Sequence, residues 1–125
     1  MKIKKEDLPV KMEAPGTVMR SQEGFGGMTA AFNQFPKGTD LTPLLNGLTN
    51  NSCHCPHWGY LLEGAMLLIY DNGNEELVQA GDMFYAPSGH TVIAKEDVKL
   101  VDFSPTKELN EVMEHVGRKM AEMAG

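Results

Sequence analysis

No stretch of the 125 residues approaches the length of an apolar membrane span. The opening, Met1-Lys-Ile-Lys-Lys-Glu-Asp-Leu8, is charged and leads into no apolar run of signal-peptide length. Export is therefore not encoded there, a membrane partner is not expected, and a cytoplasmic protein is. Cysteine is scarce: Cys53 and Cys55 are the only two, with one residue between them. A bridge at that spacing would be strained, so in a reducing compartment both should be thiols. Positive charge is also short, with 11 Lys plus Arg against 17 Asp plus Glu and a net charge of −6. That balance opposes the phosphate neutralisation that drives nucleic-acid binding, which removes DNA and RNA as partners. Gly24-Phe-Gly26 is followed by neither the glycine spacing nor the Lys-Ser/Thr pair of a phosphate loop, and no internal repeat or low-complexity segment is visible.

What is present is turn-rich. Thirteen Gly and seven Pro punctuate a chain that is 42% apolar and 22% charged, ordinary values for a soluble globular fold. The length suits one hydrophobic core and is too short for two, so a single domain over 1–125 is expected. Residues 1–26 are polar, broken by Pro9, Pro15 and Gly16, and read as an arm with one short edge strand. Residues 27–104 read as the strand-rich body, a sandwich or closed barrel. Met28 to Phe35 lacks charge and forms a strand closed by Pro36-Lys-Gly38, and Thr39 to Leu48 reads as an irregular crossing.

Short strands then follow one another: His57 to Leu62, Ala65 to Tyr70, Glu76 to Ala80, Met83 to Ala86, His90 to Ala94 and Val98 to Phe103. Asn72-Gly73 between two of them is the strongest hairpin signal in the chain. Strands at this spacing predict an all-β sandwich or closed barrel. The period changes at the end. Leu109, Val112, Met113, Val116, Met120 and Met123 recur at three- and four-residue steps, one apolar stripe on a helix over 105–124. Ser104 and Pro105 suit its N-cap and first turn. The stripe is expected to pack on its own barrel, with a second subunit as the alternative.

The stretch Ser52-Cys-His-Cys-Pro-His-Trp58 carries the chemistry. Side chains alternate along an extended chain, so Cys53, Cys55 and His57 share one face while His54, Pro56 and Trp58 take the other. Thiolate sulfur and imidazole nitrogen suit zinc, with bonds of roughly 2.0–2.3 Å, and disfavour calcium or magnesium. Positions 55 and 57 can meet at one ion. Positions 53 and 57 are roughly 13 Å apart on a straight strand, so Cys53 joins only if the chain bends, for which Pro56 is a candidate. The plainer reading is that both thiols pack as small hydrophobes and His57 makes an internal hydrogen bond. Three donors on one face favour the metal. His54 faces away, and His115 lies on the helix.

Gly81-Asp-Met-Phe-Tyr-Ala-Pro87-Ser-Gly89-His90 resembles the second motif of the cupins: Gly, five residues, Pro, one residue, Gly, His. His57-Trp-Gly-Tyr-Leu-Leu-Glu-Gly64 is similar to the first-motif strand that ends in a glycine turn. Counting back from Gly64, His57 stands where a cupin has its Glu ligand and Cys53 near the second His of His-x-His, with Asn51 near the first. The usual three-His, one-Glu set is thus absent. Gly38-Thr-Asp-Leu-Thr-Pro43-Leu-Leu together with Cys-x-Cys-Pro-His-Trp-Gly-Tyr resembles a smaller bacterial branch of RmlC-like cupins. The resemblance implies a double-stranded β-helix, or jelly-roll barrel, followed by the C-terminal α-helix. It also implies that His90 enters the interior opposite the first motif, near Cys55 and His57, completing a metal set of Cys53, Cys55, His57 and His90. One divalent transition metal is expected, zinc first, with iron or nickel as alternatives.

Trp58, Tyr60, Phe84 and Tyr85 sit at alternating strand positions, so some of them are expected to line the pocket. Glu63 and Asp82 read as turn residues, and no catalytic residue is assigned. Two functions remain: a metal-dependent enzyme acting on a small molecule in the barrel, or a non-catalytic binding or sensing module with a closed zinc site. Ligand count separates them, because four protein donors close the site and three leave a position open. A metal-free sugar isomerase ranks last, since no acid/base pair is left over. The resemblance to small cupins implies an exposed sheet edge and an apolar rim, and the polar arm of residues 1–26 could add a strand to a neighbour's sheet, so a homodimer is expected.

Overall fold

The computed structural model describes residues 1–124. After a short turn at Lys5–Asp7 the chain forms β1 (Val10–Ala14), β2 (Thr17–Phe25) and β3 (Met28–Phe35). It then crosses through a one-turn helix, α1 (Thr42–Leu45), and continues as β4 (His57–Glu63), β5 (Ala65–Tyr70), β6 (Glu75–Gln79), β7 (Met83–Ala86), β8 (His90–Ala94) and β9 (Val98–Pro105). A single long helix, α2 (Thr106–Ala124), closes the chain. The strands form two antiparallel sheets, β1-β2-β3-β9-β4-β7 and β6-β5-β8. Two facing sheets and a C-terminal helix are the jelly-roll arrangement expected from the strand rhythm.

The apolar positions of the two sheets meet between them. Leu61 of β4, Met66 and Leu68 of β5, Val98 and Leu100 of β9 and Phe35 of β3 are buried in one cluster. On β9, Val98, Leu100, Asp102 and Ser104 are buried at every second position, the period-two signature of a strand with one face inward. Asn72-Gly73 turns the β5–β6 hairpin, with Gly73 at φ 88°. α2 lays Val112 and Val116 against Leu45 of α1 and against Cys53 and Cys55 in the loop before β4, so its stripe packs within its own chain.

Two expectations are corrected. Residues 1–26 hold two strands rather than one, and β2, nine residues long, pairs along β3 as an integral part of the larger sheet. Gly26-Gly27 is the two-residue turn between paired Phe25 and Met28, both glycines having positive φ. A polar sequence hides such a strand because one face is solvated. Second, Ser104 and Pro105 do not cap the helix. They end β9, paired with Thr29 and Met28, and the helix starts at Thr106. Sheet pairing has claimed a Ser-Pro that would otherwise suit a helix start.

Candidate metal centre

Just before Cys53 two asparagines in succession adopt left-handed backbone, Asn50 at φ 58° and Asn51 at φ 54°. Asparagine tolerates that region better than other non-glycine residues. The turn delivers Cys53 to the start of β8. Its N–H donates to the His90 carbonyl at 2.7 Å, and its carbonyl accepts the Gly89 N–H at 2.8 Å. Gly89 is required here: its φ is +93°, and a Cβ would lie 2.6 Å from the Asp71 carboxylate. Cys53 and His90 are thereby neighbours through backbone, before any side chain is considered.

Residues 53–56 lie outside any strand, and β4 begins only at His57. The expected ordering, Cys55 close and Cys53 remote, assumed an extended chain. Because the chain is folded back instead, the Cys53 sulfur lies 3.6 Å from His57 Nε2. Ligand atoms of Cys53, His57 and His90 all lie within 4.8 Å of one another. Cys55 stands outside this group. Its sulfur is completely buried, with the Pro56 carbonyl at 3.4 Å and Leu45, Val112 and Val116 in the same cluster.

Both imidazoles are oriented by a second contact. His90 Nδ1 donates to the Pro87 carbonyl at 2.7 Å, which leaves Nε2 with its lone pair free. His57 Nδ1 meets the Ser104 hydroxyl at 2.6 Å. With that nitrogen as the donor, His57 Nε2 is the acceptor for the Cys53 thiol. The two rings stand edge to face with centroids 5.1 Å apart. Ser104 is a site residue that sequence reading missed. Its only signal was an inward phase on β9, masked by its resemblance to a cap.

Burial holds the donor groups of the centre in their neutral forms. Burial, and then the neighbouring His90, push His57 down to about 3. Burial lowers His90 as well, opposed by the Pro87 hydrogen bond. Burial pushes the Cys53 thiol up to about 11 and the Cys55 thiol up to about 12. Two neutral imidazoles and a thiol are what a soft divalent ion needs, provided that it displaces the thiol proton. The distances agree. Ligands about 2.3 Å (sulfur) and 2.0 Å (nitrogen) from one tetrahedral ion lie about 3.5 Å apart, close to the Cys53–His57 separation. This Cys/His/His group can hold a metal ion.

The three donors open onto a cavity of about 680 Å³ between the sheets and α2. Of the four aromatics expected in the pocket, Phe84 lines it. Trp58, Tyr60 and Tyr85 do not: they face outward, and Trp58 stacks on Tyr85 with ring centroids 5.1 Å apart. Strand phase decides this, because His57, Gly59 and Leu61 take the inner face of β4 and leave 58 and 60 to the outer one. Phe84 reaches inward across Gly59, where a Cβ would come 2.4 Å from its ring. His54 points away as expected and pairs with Glu111 on α2 at 3.1 Å.

Neither protein-family models nor curated proteins match the chain. Solved structures do. An RmlC-like cupin from Shewanella frigidimarina superposes at TM-score 0.56 over 80% of this chain and 86% of its own, at 19% identity. The chain has the cupin fold. Other likenesses are an ectoine synthase from P. lautus and a salicylate 1,2-dioxygenase from Pseudoaminobacter salicylatoxidans. The first has TM-score 0.55 and 13% identity, over 75% of this chain and 67% of that one. The second, a variant in complex with gentisate, has TM-score 0.54 and 20% identity, over 82% of this chain but 28% of that one. At these identities the likeness concerns the fold. Among the described residues no helix is long and apolar enough to cross a membrane.

Proposed function

We propose that the chain binds one divalent transition metal, zinc in the first place with iron or nickel as alternatives, through Cys53, His57 and His90, and is a metal-dependent enzyme acting on a small molecule in the cavity. The observation that carries this is the convergence of three donors on the cavity wall, a group and a wall to which Cys55 does not belong. Three protein donors would leave one position of a tetrahedral ion for water or substrate, and Cys53, His57 and His90 all line the cavity. Held there by Cys53, His57 and His90, such an ion would supply Lewis acidity toward a bound oxygen or water. The chain's own part is to fix both rings through Ser104 and Pro87, to present Cys53 on the turn after Asn51, and to exclude bulk water with Phe84, Met66 and Leu68.

Elemental analysis of untagged protein is expected to give about one transition-metal ion per chain. Cys53→Ser and His90→Ala should each lower occupancy at least tenfold, and Cys55→Ser and His54→Ala should leave it near wild type. A cobalt-substituted protein should change its visible spectrum on adding azide. A tetrahedral two-thiolate cobalt spectrum indifferent to added ligands, with occupancy lost in Cys55→Ser, would establish the closed four-donor site and the binding-module reading instead.

We also propose a cytoplasmic homodimer. The outer face of β7-β4-β9 exposes Met83 (84%), Tyr85 (52%), Trp58 (45%) and Phe103, a contiguous apolar patch of the kind that marks interaction surfaces. Both cysteines are free thiols, as a reducing compartment would leave them.

A further inference from the structure

One buried carboxyl in the cavity is unused by the metal centre. Asp102 lies on β9, two residues before Ser104, with its side chain on the same inner face. Its partners in register are Gly59 on β4 and Ala31 on β3, two residues too small to cover it. The residue is 6% exposed and lines the cavity. Among the described residues no hydrogen bond or ion pair reaches its carboxyl, and burial alone moves its pKa, up to about 7. No buried side-chain oxygen that is shut off from a water-sized space lacks a partner. The carboxyl oxygens of Asp102, having no partner, therefore open onto the cavity.

No cation answers it. The two basic residues on the cavity wall, Lys11 and Arg20, belong to β1 and β2, and the Arg20 guanidinium is committed to the Glu6 and Leu8 carbonyls at 3.1 Å each. The rest of the inner wall is chiefly apolar, as at Met66, Leu68, Phe84 and Leu100. A buried carboxyl without a partner carries a desolvation penalty that a donor on the ligand would relieve, and that a ligand anion would increase.

We infer that Asp102 selects the ligand: the cavity takes a small, largely apolar molecule whose polar end donates hydrogen bonds to this carboxyl, a hydroxyl or an ammonium group, in preference to a carboxylate or a phosphate. This rests on the small-molecule reading above and deepens it by naming the ligand class. The donor group binds at Asp102, and the apolar remainder lies along β5 and β9. Discrimination follows the rule that sites built for hydrogen bonding reject analogues that cannot pair with them.

Benzylamine, benzyl alcohol and benzoate share a shape and differ at the polar end, so they serve as probes. Each is titrated by NMR chemical-shift perturbation into the full chain, once as purified and once after chelator treatment. Benzylamine and benzyl alcohol should bind at least tenfold more tightly than benzoate in both preparations. Asp102→Asn should weaken benzylamine at least tenfold, bring benzoate to parity and keep benzyl alcohol within threefold, because the amide oxygen still accepts. Asp102→Ser, smaller and neutral, repeats the test should the amide perturb folding. Benzoate binding as tightly as benzylamine, Asp102 variants that leave benzylamine unchanged, or no binding by any probe would overturn the assignment. The chelated arm separates the two readings: donor preference that survives chelation supports Asp102 even where the purified protein holds no metal. A preference present only with metal belongs to the ion and refutes the role of Asp102.

Discussion

Ser104 has no accessible surface, and its hydroxyl lies 2.6 Å from His57 Nδ1. Removing an outer partner of a ligating imidazole typically costs 10–100-fold in metal affinity. Ser104→Ala should therefore weaken metal binding by about that factor, measured by competition with a chromophoric chelator, while Ser104→Thr should restore part of it. A fall in thermal stability without any change in metal affinity would assign Ser104 to packing only. Asp102 makes a prediction of opposite character. Burial raises its pKa from 3.8 to about 7, so between those values the folded chain holds a proton that the unfolded chain has lost. Its contribution to stability is complete below about pH 4 and is lost as pH rises through about 7. Asp102→Asn should then stabilise the metal-free protein at pH 8 by an amount that disappears at pH 4, read from urea midpoints at the two pH values. A pH-independent difference would mean that the carboxyl is not desolvated as its position implies.

At the level of elements, β4 is the strand on which the site depends, because it carries His57 inward and separates β7 from β9. Its Gly59 is the gap into which the Phe84 ring fits. A Cβ there would stand 2.4 Å from that ring and 2.7 Å from the Val101 carbonyl. Overpacking of this kind costs typically about 1–3 kcal/mol. Gly59→Ala should lower the denaturant midpoint accordingly and, by displacing Phe84, alter the cavity wall. Gly59→Ala paired with Phe84→Leu should recover only the part of the loss that comes from the ring, since the clash with the Val101 carbonyl remains, and a double variant no better than the single one would count against a contribution from the ring. α2 contributes differently: its Val112 and Val116 line the cavity on one side and pack with Leu45 in the same buried cluster as Cys55, whose thiol is not on the cavity wall.

Across the whole molecule, the larger sheet has an inner face committed to the cavity and an outer face with Trp58, Tyr85, Met83 and Phe103 exposed. If that outer face joins two copies, sedimentation at micromolar concentration should give twice the 13.7 kDa chain mass, and Trp58→Asp should shift the species to monomer with metal content unchanged. Monomeric wild-type protein would overturn the pairing.

The sequence by itself determined the strand rhythm, because period-two burial and turn residues are local. Ala65–Tyr70, Met83–Ala86 and His90–Ala94 fall where the pattern puts them. It determined the turn residues too: Asp82 bonds the Gln79 N–H at 2.8 Å, and Glu63 meets Lys99 at 3.4 Å beside its turn. It also marked His57 and His90 as candidate ligands through their motifs. Which cysteine joins them was decided only by tertiary structure. Alternation predicts side-chain facing along a straight strand, whereas Cys53 is placed by left-handed Asn50 and Asn51 and by two long-range hydrogen bonds to Gly89 and His90. Ser104 and Asp102 were illegible for the same reason. Their importance comes from what β9 faces across the barrel, and no local pattern records which strands a sheet brings together.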